Sequence, residues 1–328
     1  MQGAVLSLDR GRLEGELQSD KNQTDGPPIS LVVITLDLHE VDEPSDISFA
    51  AEWLASAYVP ATFFVPSAMF GMPRYRASLR ALHALGHEVG SHSHLHDDAE
   101  IDALVRGDLL RLAFLEKSKR FFEDFYGREP RAFRSPLWCA LSPVALSELE
   151  RLGYTVDSSV TPQRLSILSS RPFQSAWTLA SRRLRYIRPK LLEVPTSTFL
   201  IPAGSPTFQT LRLSLSRGFI RLLLWEVLAF NGRMLTLQFH PDDFNPSALR
   251  RPVGRSLQWD DFWLCPKGGF GFKHHLRDTH SARISAITHA IVSLLRIYGC
   301  TTLGAVSDLV SKNGLLSPGE HEPNYRVA

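Results

Sequence analysis

Two histidines four residues apart, His92 and His96, stand in the run Gly86-His87-Glu88-Val89-Gly90-Ser91-His92-Ser93-His94-Leu95-His96-Asp97-Asp98, directly behind a short strand-like stretch. Imidazoles at that spacing reach one metal ion from one side of the backbone. Alone, H-x-x-x-H is a weak signal in a chain with 12 histidines. It strengthens because ionisable side chains close other apolar runs as well. Asp37 and His39 end the first, Arg134 and Asp157 end later ones, and His240 follows Leu235-Thr236-Leu237-Gln238-Phe239. Singly, each has a structural use: Asp37 capping a loop, Arg134 as a surface cation, Asp157 capping with Ser158 and Ser159, His240 ahead of a Pro turn. Jointly they deliver ionisable groups to one rim.

The elements that must position them follow a β/α rhythm. Leu31 to Asp37, Ala61 to Val65, Glu88 to Ser91, Ala132 to Arg134, Tyr154 to Asp157, Leu191 to Val194 and Met234 to Phe239 read as strands. Between them, Ser48 to Tyr58, Tyr75 to Leu85, Asp98 to Tyr126 and Ser142 to Leu152 read as helices, with Gly127 and Gly153 as stops. Ser281 to Tyr298 and Leu303 to Leu309 supply the last helices. Seven or eight such units in about 290 residues predict a (β/α) barrel, whose site lies at the carboxyl ends of the strands. No Gly-rich dinucleotide turn, P-loop or G-x-S-x-G elbow occurs.

Composition narrows the classes. With 44% hydrophobic residues in 328, the chain buries a sizeable core. A formal net charge of +2, from 36 basic and 34 acidic residues, gives no global field for nucleic acid. Cys139, Cys265 and Cys300 are odd in number and lack C-x-x-C spacing, which fits a reducing compartment. No window approaches the roughly 18 apolar residues of a membrane span, and residues 1–28 lack an apolar signal core. The expected location is cytoplasmic, at most against the inner face of a membrane. Residues 1–28 and 317–328 read as flexible ends around one domain, 29–316.

The series Thr35-Leu36-Asp37, Ala61-Thr62-Phe63-Phe64-Val65, Gly86 to His96, Phe133-Arg134-Ser135-Pro136, Gly153-Tyr154-Thr155-Val156-Asp157-Ser158-Ser159 and Phe239-His240-Pro241 resembles the polysaccharide deacetylase family, the NodB-homology domain of carbohydrate esterase family 4. The resemblance runs from about residue 31 to 246. It implies a distorted barrel of seven or eight β/α units and metal-dependent hydrolysis of an N-acyl amide, usually N-acetyl on an amino sugar. By position it implies Asp37 as catalytic base, His92 and His96 as metal ligands, Arg134 and Asp157 as the pair orienting the base, and His240 as catalytic acid. These roles cohere chemically. Neutral imidazoles holding an ion such as Zn²⁺ with open positions suit polarisation of an amide carbonyl and activation of water. Asp37 would take a proton, and His240 would give one to the departing amine.

Two positions depart from the pattern. The family's first motif has a second aspartate after the Thr-x-Asp, as a metal ligand, where this chain has Leu38. Branches with D-x-D, resembling lipid-linked sugar deformylases and allantoinase-like deacetylases, align His39 with that carboxylate. A His39/His92/His96 triad follows, with Glu40 or Asp42 as alternative third ligands and loss of the site as a further alternative. The family's Gly after R-x-P-x is here Trp138. The expected substrate is an amino sugar in a glycan, glycan precursor or lipid-linked sugar. The alternatives are a small non-sugar amide and a degenerate glycan-binding protein. Thr207 to Asn231, apolar and punctuated by Arg212, Arg217 and Arg221, reads as an amphipathic barrel helix ahead of a membrane-surface one. The cluster Arg182, Arg183, Arg185, Arg188 and Lys190 reads as a solvated face ahead of a phosphate contact.

Overall fold

Apolar runs buried on both faces form the central strands, as in parallel sheets covered by helices. The structure is a computed structural model that describes residues 32–162, 182–199, 201–230, 233–249, 280–314 and 316. Residues 1–28, 317–328 and Cys265 lie outside them. In chain order the strands are β1 (Val32–Asp37), β2 (Thr62–Val65), β3 (Glu88–Ser91), β4 (Ala132–Phe133), β5 (Val156–Asp157), β6 (Arg185–Arg188), β7 (Leu191–Glu193), β8 (Thr198–Phe199), β9 (Ile201–Pro202), β10 (Leu235–Phe239) and β11 (Cys300–Thr301). The helices are α1 (Pro44–Ser56), α2 (Arg76–Ala84), α3 (Asp98–Arg106), α4 (Ala113–Tyr126), α5 (Pro143–Arg151), α6 (Ser205–Thr210), α7 (Leu213–Ala229), α8 (Ser281–Leu295) and α9 (Leu303–Asn313).

The main sheet runs β10-β1-β2-β3-β4-β5-β7-β6, with β11 also paired to β1. Its pairs are parallel except β6–β7. This is the distorted α/β barrel expected from the sequence, a curled wall that stays open between β10 and β6 among the described residues. β11 joins Val32 and Val33, so strands near the two ends of the described chain share one sheet.

Period-two alternation along β1 sets the two faces. Val32, Ile34 and Leu36 pack outward with Ile47, Leu54, Leu82, Ile220 and Ile291, beneath the surrounding helices. Val33 points the other way, into a cluster with Phe64, Val156, Leu192 and the α9 residues Leu303, Val306 and Val310. Thr35 and Asp37 share the face of Val33, nearer the carboxyl end.

Two expected helices are divided. Asp98 to Tyr126 breaks into α3 and α4 because Gly107, at φ +72°, closes α3 in the left-handed region. A Cβ there would also sit 2.8 Å from the Ser142 hydroxyl, so glycine is required twice over. Thr207 to Asn231 divides into α6 and α7 where Arg212 is extended. α1 begins at Pro44, earlier than Ser48, with proline in its first turn.

Candidate metal centre and active site

Asp37 and His39 share a face because Leu38, fully buried in the core, takes the opposite one. The Leu38 N–H still donates to the Phe64 carbonyl at 2.9 Å, so the strand geometry carries on past β1. His92 follows β3 directly, and its N–H donates to the Val65 carbonyl at 3.0 Å. Between His92 and His96 the backbone is not helical: Ser93 (φ +73°) and His96 (φ +59°) lie in the left-handed region. Glu100, in the first turn of α3, holds that bend. Its carboxylate accepts the N–H groups of His94, Leu95 and His96 at 3.2, 2.9 and 3.0 Å, and also the Ser93 hydroxyl.

The result is a cluster of three histidines. One ring nitrogen each from His39, His92 and His96 lies within 4.8 Å of the others, the arrangement of a metal-ligand set. Ring centroids are 4.7 Å apart for His92 and His96 and 4.8 Å for His39 and His96. His92 Nδ1 donates to the Arg134 carbonyl at 2.9 Å, which leaves Nε2 as its lone-pair donor. His96 Nε2 is buried with no hydrogen-bond partner. Burial, followed by the charges of the neighbouring rings, holds His39 well below the usual imidazole range, and burial and His96 push His92 down to about 3. Burial also lowers His96. Neutral imidazoles with an orphaned buried nitrogen fit a divalent cation. Asp42 stands behind His39, where its carboxylate accepts the His39 N–H at 2.7 Å and lies 3.9 Å from Nδ1. Burial raises Asp42 to about 7. Glu40 offers its main-chain carbonyl to Arg74 and Tyr75.

Beside the triad, fully buried Arg134 donates through Nη1 to Asp37 Oδ1 at 2.7 Å and to the Thr35 hydroxyl at 2.7 Å. Its Nε and Nη2 donate to the Ser158 carbonyl and hydroxyl at 3.0 and 2.9 Å. The guanidinium lies 4.4 Å over the Phe64 ring. Gly90 makes room for that ring, since a Cβ there would meet it at 2.9 Å. Burial works against ionisation of Asp37, yet Arg134, His92 and His240 outweigh it, so the carboxyl lies below its usual range. Asp157 reaches Arg134 through its charge, while its oxygen accepts the Ser159 hydroxyl at 2.5 Å.

His240 stands across from His39, with centroids 5.0 Å apart. Its Nδ1 donates to the Asp37 carbonyl at 3.0 Å and its N–H to Asp243 at 2.9 Å. Gln209, at the end of α6, donates to the other Asp243 oxygen at 2.8 Å. Burial disfavours the imidazolium, but Asp243, Asp242, Asp42 and Asp37 together raise the pKa above its ordinary value.

The family comparison falls on this constellation. Residues 25–156 match the polysaccharide deacetylase family model. The resemblance drawn from the motifs therefore stands, and Asp37, His39, His92, His96 and Arg134 lie inside the matched region. Asp157 and His240 lie beyond it. A solved structure described as "putative polysaccharide deacetylase" from Mycobacterium smegmatis is 16% identical, covers 90% of this chain and 96% of its own, and gives a TM-score of 0.56, which supports the shared fold. The chitin deacetylase from the fungal pathogen Colletotrichum lindemuthianum is 15% identical over 85% of this chain and 87% of its own, at TM-score 0.46. A CE4 family pseudoenzyme from Bacillus anthracis is 13% identical over 86% and 67%, at TM-score 0.43. No curated protein matches the chain.

Where the deacetylase pattern has glycine, Trp138 sits at φ +52°, next to Leu137 at φ +53°. A bulky residue thus occupies a backbone conformation that favours glycine. The half-buried indole stands in the turn that follows Arg134. Sequence reasoning missed Glu100, Glu193 and Asp243, and gave no site role to Thr35 and Ser158, which stood only as motif members. Only Glu100 carried a local signal: Asp97-x-x-Glu100 ahead of an apolar run has the spacing of a capping box. Asp97 caps α3 as that spacing implies, accepting the Glu100 N–H at 2.9 Å, while the Glu100 carboxylate turns to the histidine loop.

Proposed function

We propose that this protein is a metal-dependent hydrolase of carbon–nitrogen bonds that removes an N-acyl group, acetyl or formyl, from an amino sugar in a glycan, glycan precursor or lipid-linked sugar. The family match and the fold support carbohydrate deacetylation. The observation that carries the finer reading is the convergence of the His39, His92 and His96 nitrogens within 4.8 Å, beside the Arg134-bound Asp37 and opposite His240.

A divalent ion, best Zn²⁺ for an all-imidazole set, supplies polarisation of the amide carbonyl and acidification of water when bound. Asp37, kept ionised by Arg134, accepts the water proton, and its Oδ1 bond to Nη1 fixes the carboxylate's direction. His240, whose pKa the surrounding carboxylates raise above its ordinary value, gives a proton to the departing amine from Nε2, since Nδ1 is held on the Asp37 carbonyl. Asp157 supports Arg134 from the adjoining strand. Residues 29–316 form one domain in this reading, supported by the β11–β1 pairing. Cytoplasmic placement rests on the sequence alone, on three cysteines with no C-x-x-C spacing. Among the described residues, no helix is long and apolar enough to cross a membrane.

The test is release of acetate or formate from a panel of N-acyl amino sugars, sugar nucleotides, lipid-linked sugars and small ureides, with metal-loaded protein. Release from at least one amino sugar, falling by about 10²- to 10⁴-fold in Asp37→Asn with metal retained, is expected. Turnover restricted to ureides would remove the sugar reading.

A further inference from the structure

Helix α7 has two faces of unlike chemistry. Ser216, Ile220, Leu223, Leu224 and Val227 pack inward. On the outside, Leu215 is 59% exposed, Leu222 39%, Trp225 62% and Leu228 49%. Leu215, Leu222 and Trp225 fall at spacings of seven and three, so they form one stripe along the helix. Exposed Arg212, Arg217 and Arg221 accompany it. From Ser205 to Trp225 the sequence contains no acidic residue. The nearest carboxylate, Glu226, is buried and ion-paired with both Arg182 and Arg233.

Helix α4, also long and at the surface, behaves differently. On α4, Arg120 pairs with Glu116 and Lys119 with Glu123, so both signs of charge appear on its outer side. On α7 every exposed charge is cationic, beside apolar side chains and the hydroxyl of Ser214. Two features of that combination favour a lipid surface over a second protein. The charged groups that flank the apolar stripe on the helix are all guanidinium, complementary to anionic headgroups. An exposed tryptophan lies within it, suited to the water–hydrocarbon boundary. The 17 residues of α7 are too short to span a bilayer but long enough to lie along one. The helix begins three residues after Thr210, and Gln209 holds Asp243 beside His240, so its amino end adjoins the candidate active site.

We propose that the Leu215/Leu222/Trp225 face of α7, with Arg212, Arg217 and Arg221, docks on the surface of an anionic phospholipid bilayer, the helix lying in the membrane plane. This surface stands independently of the reaction assigned to the histidine centre.

The test is co-sedimentation of the full chain with vesicles of phosphatidylcholine alone or mixed with phosphatidylglycerol. Wild type should bind the mixed vesicles preferentially and lose binding as salt is raised. Arg217→Gln with Arg221→Gln should weaken binding to the mixed vesicles about thirty-fold. Leu222→Glu and Trp225→Glu should each abolish most of it, with melting temperature and turnover of a water-soluble substrate unchanged. Equal binding of wild type to both vesicle types would overturn the proposal, as would undiminished binding by the arginine pair variant. A wild-type dimer that Trp225→Glu dissociates would also overturn it, by assigning the face to a second copy of the chain.

Discussion

Asp157 and Glu193 face each other in register on the parallel strands β5 and β7, both buried, an arrangement that lets their carboxyls share one proton. Burial raises both, Asp157 to about 6 and Glu193 further, because Glu193 donates to Asp157 and lies beside its charge. Asp157 thereby stays available as an anion near Arg134, while Glu193 is the neutral member. A carboxyl whose folded pKa is raised favours the folded state below its unfolded value, and that contribution is lost as pH rises through the folded pKa. Wild type should therefore lose thermal stability as pH rises from the ordinary carboxyl range, about 4, through about 6 and beyond. Glu193→Gln, which donates to Asp157 without a proton to lose, should lose less. Melting curves across that range check this; parallel curves for the two proteins would remove the shared proton.

Glu100 never touches the three histidines' rings, yet its carboxylate fixes the backbone N–H groups on the bend between His92 and His96. Glu100→Gln retains one acceptor oxygen and loses the charge that those donors face. The expected outcome is metal affinity weaker by about 10- to 100-fold with a near-unchanged circular dichroism spectrum, measured by competition with a chelator.

His240 supplies the pH prediction. Its pKa is raised by carboxylates among which Asp243 acts most strongly. If the imidazolium gives the proton, turnover falls as pH rises through that pKa. Asp243→Asn removes a raising charge, so the alkaline limb of kcat should move to lower pH, by roughly one unit or less. The acid limb, set by Asp37 below its ordinary range, should stay in place. A kcat profile with an unmoved alkaline limb would detach His240 from it.

Much of this site was legible because its parts end apolar runs. Asp37, His39, His92, Arg134 and His240 each follow strand residues whose burial is written in Val, Ile, Leu and Phe, and a barrel brings such ends together. The supporting shell was not legible. Glu193 partners Asp157 from 36 positions along the chain, Ser158 meets Arg134 from 24, and Thr35 meets it from 99, and no local periodicity encodes such pairings. The Gly107 break was missed because apolar spacing continues through it; the left-handed backbone and the nearby Ser142 decide it. Trp138 was visible as a departure, but its left-handed conformation was not.

In the proposed reading His39 completes the metal site in place of a carboxylate. The most direct measurement is metal content and affinity of purified wild type, His39→Ala and Asp42→Ala, by elemental analysis and chelator competition. Wild type should carry about one equivalent, His39→Ala should lose it, and Asp42→Ala, which removes only a group behind His39, should retain it with weakened affinity. Full metal binding by His39→Ala together with its loss in Asp42→Ala would take the third corner from His39 and give it to the carboxylate.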